Sequence, residues 1–148
     1  MEANKDFKEF VALLNKNNVR FVIVGGYAVA FHGNPRYTQD IDFLYEPSPE
    51  NAKKLFKALH DFGFGSLDIA EADFCKMGQV VQLGQPPNRI DLINKVEGVV
   101  FEQIWKNKIS GTYADQPCFY IGRSELLANK KAMNRPKDQG DLDFLKKK

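Results

Sequence analysis

With 148 residues, 43% of them hydrophobic and 27% charged, the chain has the length and composition of one globular domain with a modest core. A net charge of +2 carries no case for nucleic acid or a membrane surface, so any electrostatic argument must rest on local clusters. No apolar run approaches the roughly 20 residues that span a bilayer. The polar start "MEANKDFKEF" lacks the charged-then-apolar plan of an export signal. One cytoplasmic domain over residues 1–148 is expected, with no membrane contact and with Cys75 and Cys118 as free thiols. Neither cysteine stands at zinc-ligand spacing from His32 or His60.

In chain order, Phe7, Phe10, Val11 and Leu14 recur at helical spacing and predict an amphipathic helix over 4–16. "RFVIV" is short, β-branched and continuous, as a buried strand requires. Gly25-Gly26 stops it, and "YAVAFHG" reads as a short helix closed by Gly33. "NPRYTQ" is a loop, and "DIDFLY" alternates as a second strand. Ser48-Pro49 opens a helix with a capping hydroxyl and a proline at its first position; Gly63 ends it. "QVVQL" and "RIDLIN" are strands joined through a turn at Gln85-Pro86-Pro87-Asn88 and free to pair antiparallel. Val100, Phe101, Ile104 and Trp105 mark a helix, "PCFYIG" a last strand, and two short helices follow, from Ser124 and near Pro136. Helices and strands interleave, so the fold class is α/β (α+β), a mixed β-sheet flanked by helices.

In a strand, residues two apart share a face. Asp40 and Asp42 therefore project together, while Ile41 and Phe43 turn to the opposite side. Two carboxylates roughly 6–7 Å apart repel each other. A divalent cation between them reverses that cost, and Mg²⁺ suits oxygen ligands at an open site. Asp91 lies on another apolar strand, between Ile90 and Leu92. If that strand pairs beside "DIDF", Asp91 faces the same cleft. Three carboxylates can hold two metal ions about 3.5–4 Å apart, the arrangement for in-line phosphoryl displacement. A strand ending in Gly-Gly and running into a helix lets backbone N–H groups approach a phosphate. No Gly-Lys-Ser/Thr follows, so this is not a Walker loop, and the dinucleotide fingerprint is absent.

The order Val24-Gly25-Gly26, a helix, Asp40-Ile41-Asp42-Phe43 and later Ile90-Asp91-Leu92 resembles the polymerase-beta-like nucleotidyltransferase superfamily. Thirteen residues, 27 to 39, separate Gly26 from Asp40, near the family's spacing. "RYTQDID" and "LLANKKAMNRPKDQGDLDFL" look like the small stand-alone prokaryotic branch, which includes antibiotic-modifying enzymes and toxin–antitoxin nucleotidyltransferases. The resemblance implies transfer of a nucleoside monophosphate from a Mg²⁺-bound NTP, such as ATP, to a hydroxyl acceptor, with release of pyrophosphate. Two Mg²⁺ ions, or Mn²⁺, would be held by Asp40, Asp42 and Asp91, with Asp91 also orienting the hydroxyl. Gly25 and Gly26 would meet the phosphates, helped by Arg36, Thr38 and Lys131.

Each residue also has a plainer reading. The aspartates could be a solvated pair and an exposed strand residue, and Gly25-Gly26 a simple turn. Arg36 could bond loop carbonyls. His32 reads as a structural histidine. Lys130, Lys131, Arg135 and Lys137 form a basic cluster, mostly a solvated helix face with one member pointing inward. Asp138, Asp141 and Asp143 read as caps or decoration, with Asp138 free to pair with Arg135 or Lys137. The alternatives to an active enzyme are a catalytically silent nucleotide-binding or toxin–antitoxin partner module of the same fold, and a metal-dependent phosphohydrolase. The acceptor (RNA, protein or small molecule) is not encoded in any motif, and a homodimer would supply a second cleft wall.

Overall fold

The computed structural model describes residues 4–34, 40–65 and 68–146. The first periodic segment forms α1 (Lys5–Lys16), capped by the Asn4 side chain, which accepts from the backbone N–H groups of Asp6 and Phe7. Its apolar stripe of Phe7, Phe10, Val11 and Leu14 is fully buried. β1 (Phe21–Val24) runs directly into α2 (Gly25–Phe31). The helix thus begins at the Gly pair and not after it, because Gly25, at φ +71°, makes the turn within one residue.

β2 (Asp40–Tyr45) pairs antiparallel with β1. α3 (Pro49–Leu59) starts at the Ser48 cap and passes into a π-helical turn, His60–Phe64, where Gly63 takes φ +102°. A 3₁₀ turn (Glu71–Cys75) precedes the antiparallel pair β3 (Val80–Leu83) and β4 (Arg89–Ile93). α4 (Phe101–Lys106) follows, then the hairpin β5 (Ile109–Tyr113) and β6 (Gln116–Tyr120), then α5 (Arg123–Met133) and α6 (Pro136–Lys146). β5 has no counterpart in the sequence reading. "ISGTY" carries a glycine and mostly exposed positions, and its register comes from a turn with Ala114 and Asp115 both at positive φ. That turn type is signalled by Asn-Gly or Asp-Gly, not by Ala-Asp.

The six strands form one sheet in the order β3-β4-β2-β1-β6-β5. Its centre is mixed, with β2 parallel to β4 and β1 parallel to β6. Phe43 packs at 5.4 Å from Phe10 and 5.6 Å from Phe21, which fixes α1 over the face carrying Ile41 and Phe43. Burial of this continuous apolar cluster is the main favourable term in folding. Both cysteines are free, Cys118 buried and Cys75 partly so. Among the described residues, no helix is long and apolar enough to cross a membrane.

A buried asparagine locks the joint between β1, β2 and α3. Asn51 accepts from the Arg20 backbone N–H at 2.7 Å and donates to the carbonyls of Arg20 and Glu46. Asn51→Ala would leave the Arg20 N–H and the Glu46 carbonyl without this partner, while the Arg20 carbonyl keeps its bond from the Glu46 N–H. We expect a loss of about 2–3 kcal/mol, read as a lower urea midpoint with unchanged slope.

Candidate active site

The parallel pairing of β2 with β4 sets the site. Asp42 lies opposite Asp91 and Asp40 opposite Arg89, while Val24 of β1 lies opposite Asp42 on its other side. Alternation then sorts the side chains. Ile41, Phe43, Ile90 and Leu92 are buried on one face, and the three aspartates with Arg89 share the other. Gly25 sits against this group. A Cβ built there would overlap the Asp42 carboxylate oxygen Oδ2, so the backbone turn and the carboxylate occupy space that any other residue would take.

Arg89 is the organising cation that the sequence reading missed. Its Nη2 donates to Asp40 Oδ2 at 2.6 Å and to Asp91 Oδ2 at 3.2 Å, and its Nε donates to Asp91 Oδ1 at 3.0 Å. This is a fork on Asp91 with a third bond across to the neighbouring strand. The parity rule used for the aspartates would have found it, since Arg89 is two residues before Asp91. Among the described residues, no ion pair ties a cation to Asp42 in this way. Burial pushes its carboxyl up to about 7, reinforced by the Asp91 charge and hydrogen bond and by Asp40, with Arg89 opposing.

The donor chemistry fits a hard divalent cation. Asp42 and Asp91 face each other closely enough to share a hydrogen bond, a like-charge arrangement that such an ion would relieve. As placed, however, no three His, Cys, Asp or Glu side chains among the described residues form a ready ligand set for one ion. Asp40 is tied to Arg89, so its joining the other two requires the guanidinium to give way.

A cleft of about 390 Å³ opens over this floor. Gly25 and Gly26 line one side, Lys95, Val96 and Glu97 another, and Asn129, Lys130, Met133, Arg135 and Lys137 come from the α5–α6 joint. Lys131, expected at the nucleotide, is exposed and absent from this lining; the inward lysine is its neighbour Lys130. Arg36 and Thr38 lie outside the described residues. His32 bonds the Ile121 carbonyl through Nε2 at 2.8 Å, a structural contact.

Over residues 3–147 the chain matches the model of a family described as "Nucleotidyl transferase of unknown function" (DUF2204). The chain belongs to this nucleotidyltransferase family. Among solved structures it is similar to the lincomycin-bound crystal structure of the lincosamide antibiotic adenylyltransferase LnuA. Identity is 17%, the match covers 97% of this chain and 96% of that one, and the TM-score is 0.58. It is also similar to the solution structure of the antibiotic-resistance factor ANT(2'')-Ia, at 14% identity, 95% and 80% coverage and a TM-score of 0.57. No curated protein sequence matches the chain. At these identities the structural likeness is one of fold.

Behind the cleft wall of this nucleotidyltransferase lies a buried ion network. The Lys130 ammonium is 3.3 Å from both Asp138 and Asp141, and Arg135 Nε lies 2.7 Å from Asp138. Asp138 is fully buried and also accepts from the Arg135 backbone N–H. Its burial alone would raise the carboxyl, but bonds from Arg135 and Lys130 outweigh it and hold the group at about 2. Of the three aspartates read from sequence as caps, Asp138 and Asp141 are thus the pins that hold Lys130, Asp138 also pairs with Arg135 as expected, and Asp143 is exposed.

A carboxylate held below its ordinary 3.8 stabilises the fold above about pH 4, and that contribution is lost as pH falls toward 2. Asp138→Asn should remove this acid-limb dependence and cost about 3 kcal/mol at neutral pH, because Lys130 loses a buried partner. Thermal melts of both proteins between pH 2 and 7 measure each effect. Gly25→Ala should destabilise by about 1–2 kcal/mol, from positive φ and from collision with Asp42. Gly63→Ala, also at positive φ but with nothing within 4 Å of the added Cβ, is its control for folding stability.

Proposed function

We propose that the chain transfers a nucleoside monophosphate from a Mg²⁺-bound NTP to a hydroxyl acceptor. The observation that carries this reading is the in-register opposition of Asp42 and Asp91 beside Gly25, at the floor of a cleft whose far wall is basic. Asp40, Asp42 and Asp91 are the residues that would hold the metal, two Mg²⁺ ions or Mn²⁺ in their place. The bound ions supply charge neutralisation on the phosphates and a lowered pKa for the attacking hydroxyl.

This chain's own groups do the rest. Backbone at Gly25 and Gly26 admits the phosphates closely, and Arg135 and Lys137 face them from the α5–α6 joint. Arg36, Thr38 and Lys131 remain candidates for further phosphate contacts. Arg89 aims Asp91, which orients the hydroxyl and accepts its proton. The hydroxyl oxygen bonds to the α-phosphorus, the bond from that phosphorus to the bridging oxygen breaks, and pyrophosphate leaves with the electron pair. The likeness to the adenylyltransferase LnuA supports ATP as the donor. We place the reaction in the cytoplasm.

Isothermal titration of Mg²⁺-ATP into the wild type and an Asp40→Ala/Asp42→Ala variant tests the site. We expect at least about tenfold weaker binding by the variant; equal binding would sink the assignment. Incubation with labelled ATP and, as acceptors, total RNA, small metabolites or the protein itself, following label transfer and pyrophosphate, separates the alternatives. Tight Mg²⁺-ATP binding without pyrophosphate release would make the chain a silent nucleotide-binding module, and release of inorganic phosphate would make it a phosphohydrolase.

A further inference from the structure

A second cavity shares a wall with the cleft. Val96 and Val99 pair as a tight hairpin after β4. On one side of it, Lys95, Val96 and Glu97 line the catalytic cleft. On the other lies a pocket of about 320 Å³ lined by Leu44, Met77, Val96, Val99, Val100 and Phe101. Its size is at the lower end of small-molecule sites. Its rim carries apolar side chains that water does not favour: Met77 is 66% exposed and Val100 68%. Val80, which pairs with Ile93 on the adjoining strands, is a third exposed apolar side chain. Clustered apolar exposure beside a concave site marks a ligand surface.

The pocket walls are held in place by buried asparagines. Asn94 donates to the Lys76 carbonyl at 2.7 Å and accepts from the Gly78 N–H at 2.7 Å, which fixes the segment bearing Met77. Asn129 donates to the Glu97 carbonyl at 2.9 Å, and Gly98 lies so close to Ala128 and Ala132 that a Cβ there would collide with α5. The hairpin is therefore docked against the helix that also bears Lys130. Leu44 stands two residues beyond Asp42 on the same strand face, about 6–7 Å along it. One small molecule can span that distance.

Charge narrows the class. Among the described residues lining the pocket there is no carboxylate, and Lys95 adds a cation. A polycation such as an aminoglycoside would find no carboxylate among these pocket residues to pair with.

We infer that the acceptor is an uncharged amphipathic small molecule, which seats its apolar part between Met77 and the 96–99 hairpin and presents a hydroxyl toward Asp91. This rests on the nucleotidyl-transfer reading above. The chain's three methionines, Met1, Met77 and Met133, allow the two sites to be read separately, because Met133 lines the cleft and Met77 the pocket. The experiment is methyl NMR of methionine-labelled protein titrated with methyl, hexyl and phenyl β-glucosides, with kanamycin, and with Mg²⁺-ATP.

The glucosides should move the Met77 methyl, with phenyl binding about tenfold tighter than methyl. Kanamycin should not move it. Val99→Trp, which fills the pocket, and Val100→Asp, at an exposed position that tolerates the change, should each weaken the phenyl glucoside at least about tenfold. Both should leave the Met133 response to Mg²⁺-ATP intact. Glucosides that leave Met77 unmoved, equal binding by both variants, or tighter binding of kanamycin would each overturn the inference. A Met133 methyl silent to Mg²⁺-ATP while Met77 responds would instead sink the nucleotide reading.

Discussion

The pairing of β2 with β4 is the constraint from which the rest of the structure follows. Parallel strands in this register bring Asp42 against Asp91 and Asp40 against Arg89. Two carboxylates facing each other in a partly buried place are unfavourable unless protons, cations or hydrogen bonds compensate. The chain compensates in two ways. Arg89 spans Asp40 and Asp91, and Asp42 holds its proton up to about 7. Apolar burial on the opposite face, through Ile41, Phe43, Ile90 and Leu92, is what holds the strands in that register. A slip by one residue would send the acids into the core.

The same economy of space governs the turn beside the acids. Gly25 combines positive φ with direct contact against the Asp42 carboxylate. The absence of a Cβ at Gly25 is what lets the backbone turn come this close to the carboxylate.

Charge on the opposite wall is arranged differently. Lys130 is buried between Asp138 and Asp141, and Arg135 shares Asp138 with it. Two cations and two carboxylates leave this network close to neutral. It joins α5 to α6, and removing Lys130 would leave Asp141 and Asp138 short of a buried partner. The more open Lys137 and Lys95 then set the sign of the potential at the rim.

Much of this was legible in the residue order. Helical spacing identified α1, the Ser48-Pro49 cap opened α3, and β-branched runs identified β1 and β4, because these signals are local and agree with the burial that follows. Alternation placed Asp40 with Asp42. What only the tertiary structure decided was partnership between distant segments: that Asp91 comes opposite Asp42, that Arg89 bridges the strands, and that Lys130 rather than Lys131 turns inward to meet Asp138 and Asp141. The edge strand β5 likewise exists through its pairing with β6. A single residue's spacing fixes which way it points along its own element, whereas the charge it meets depends on register and packing between elements, and no local pattern carries that information.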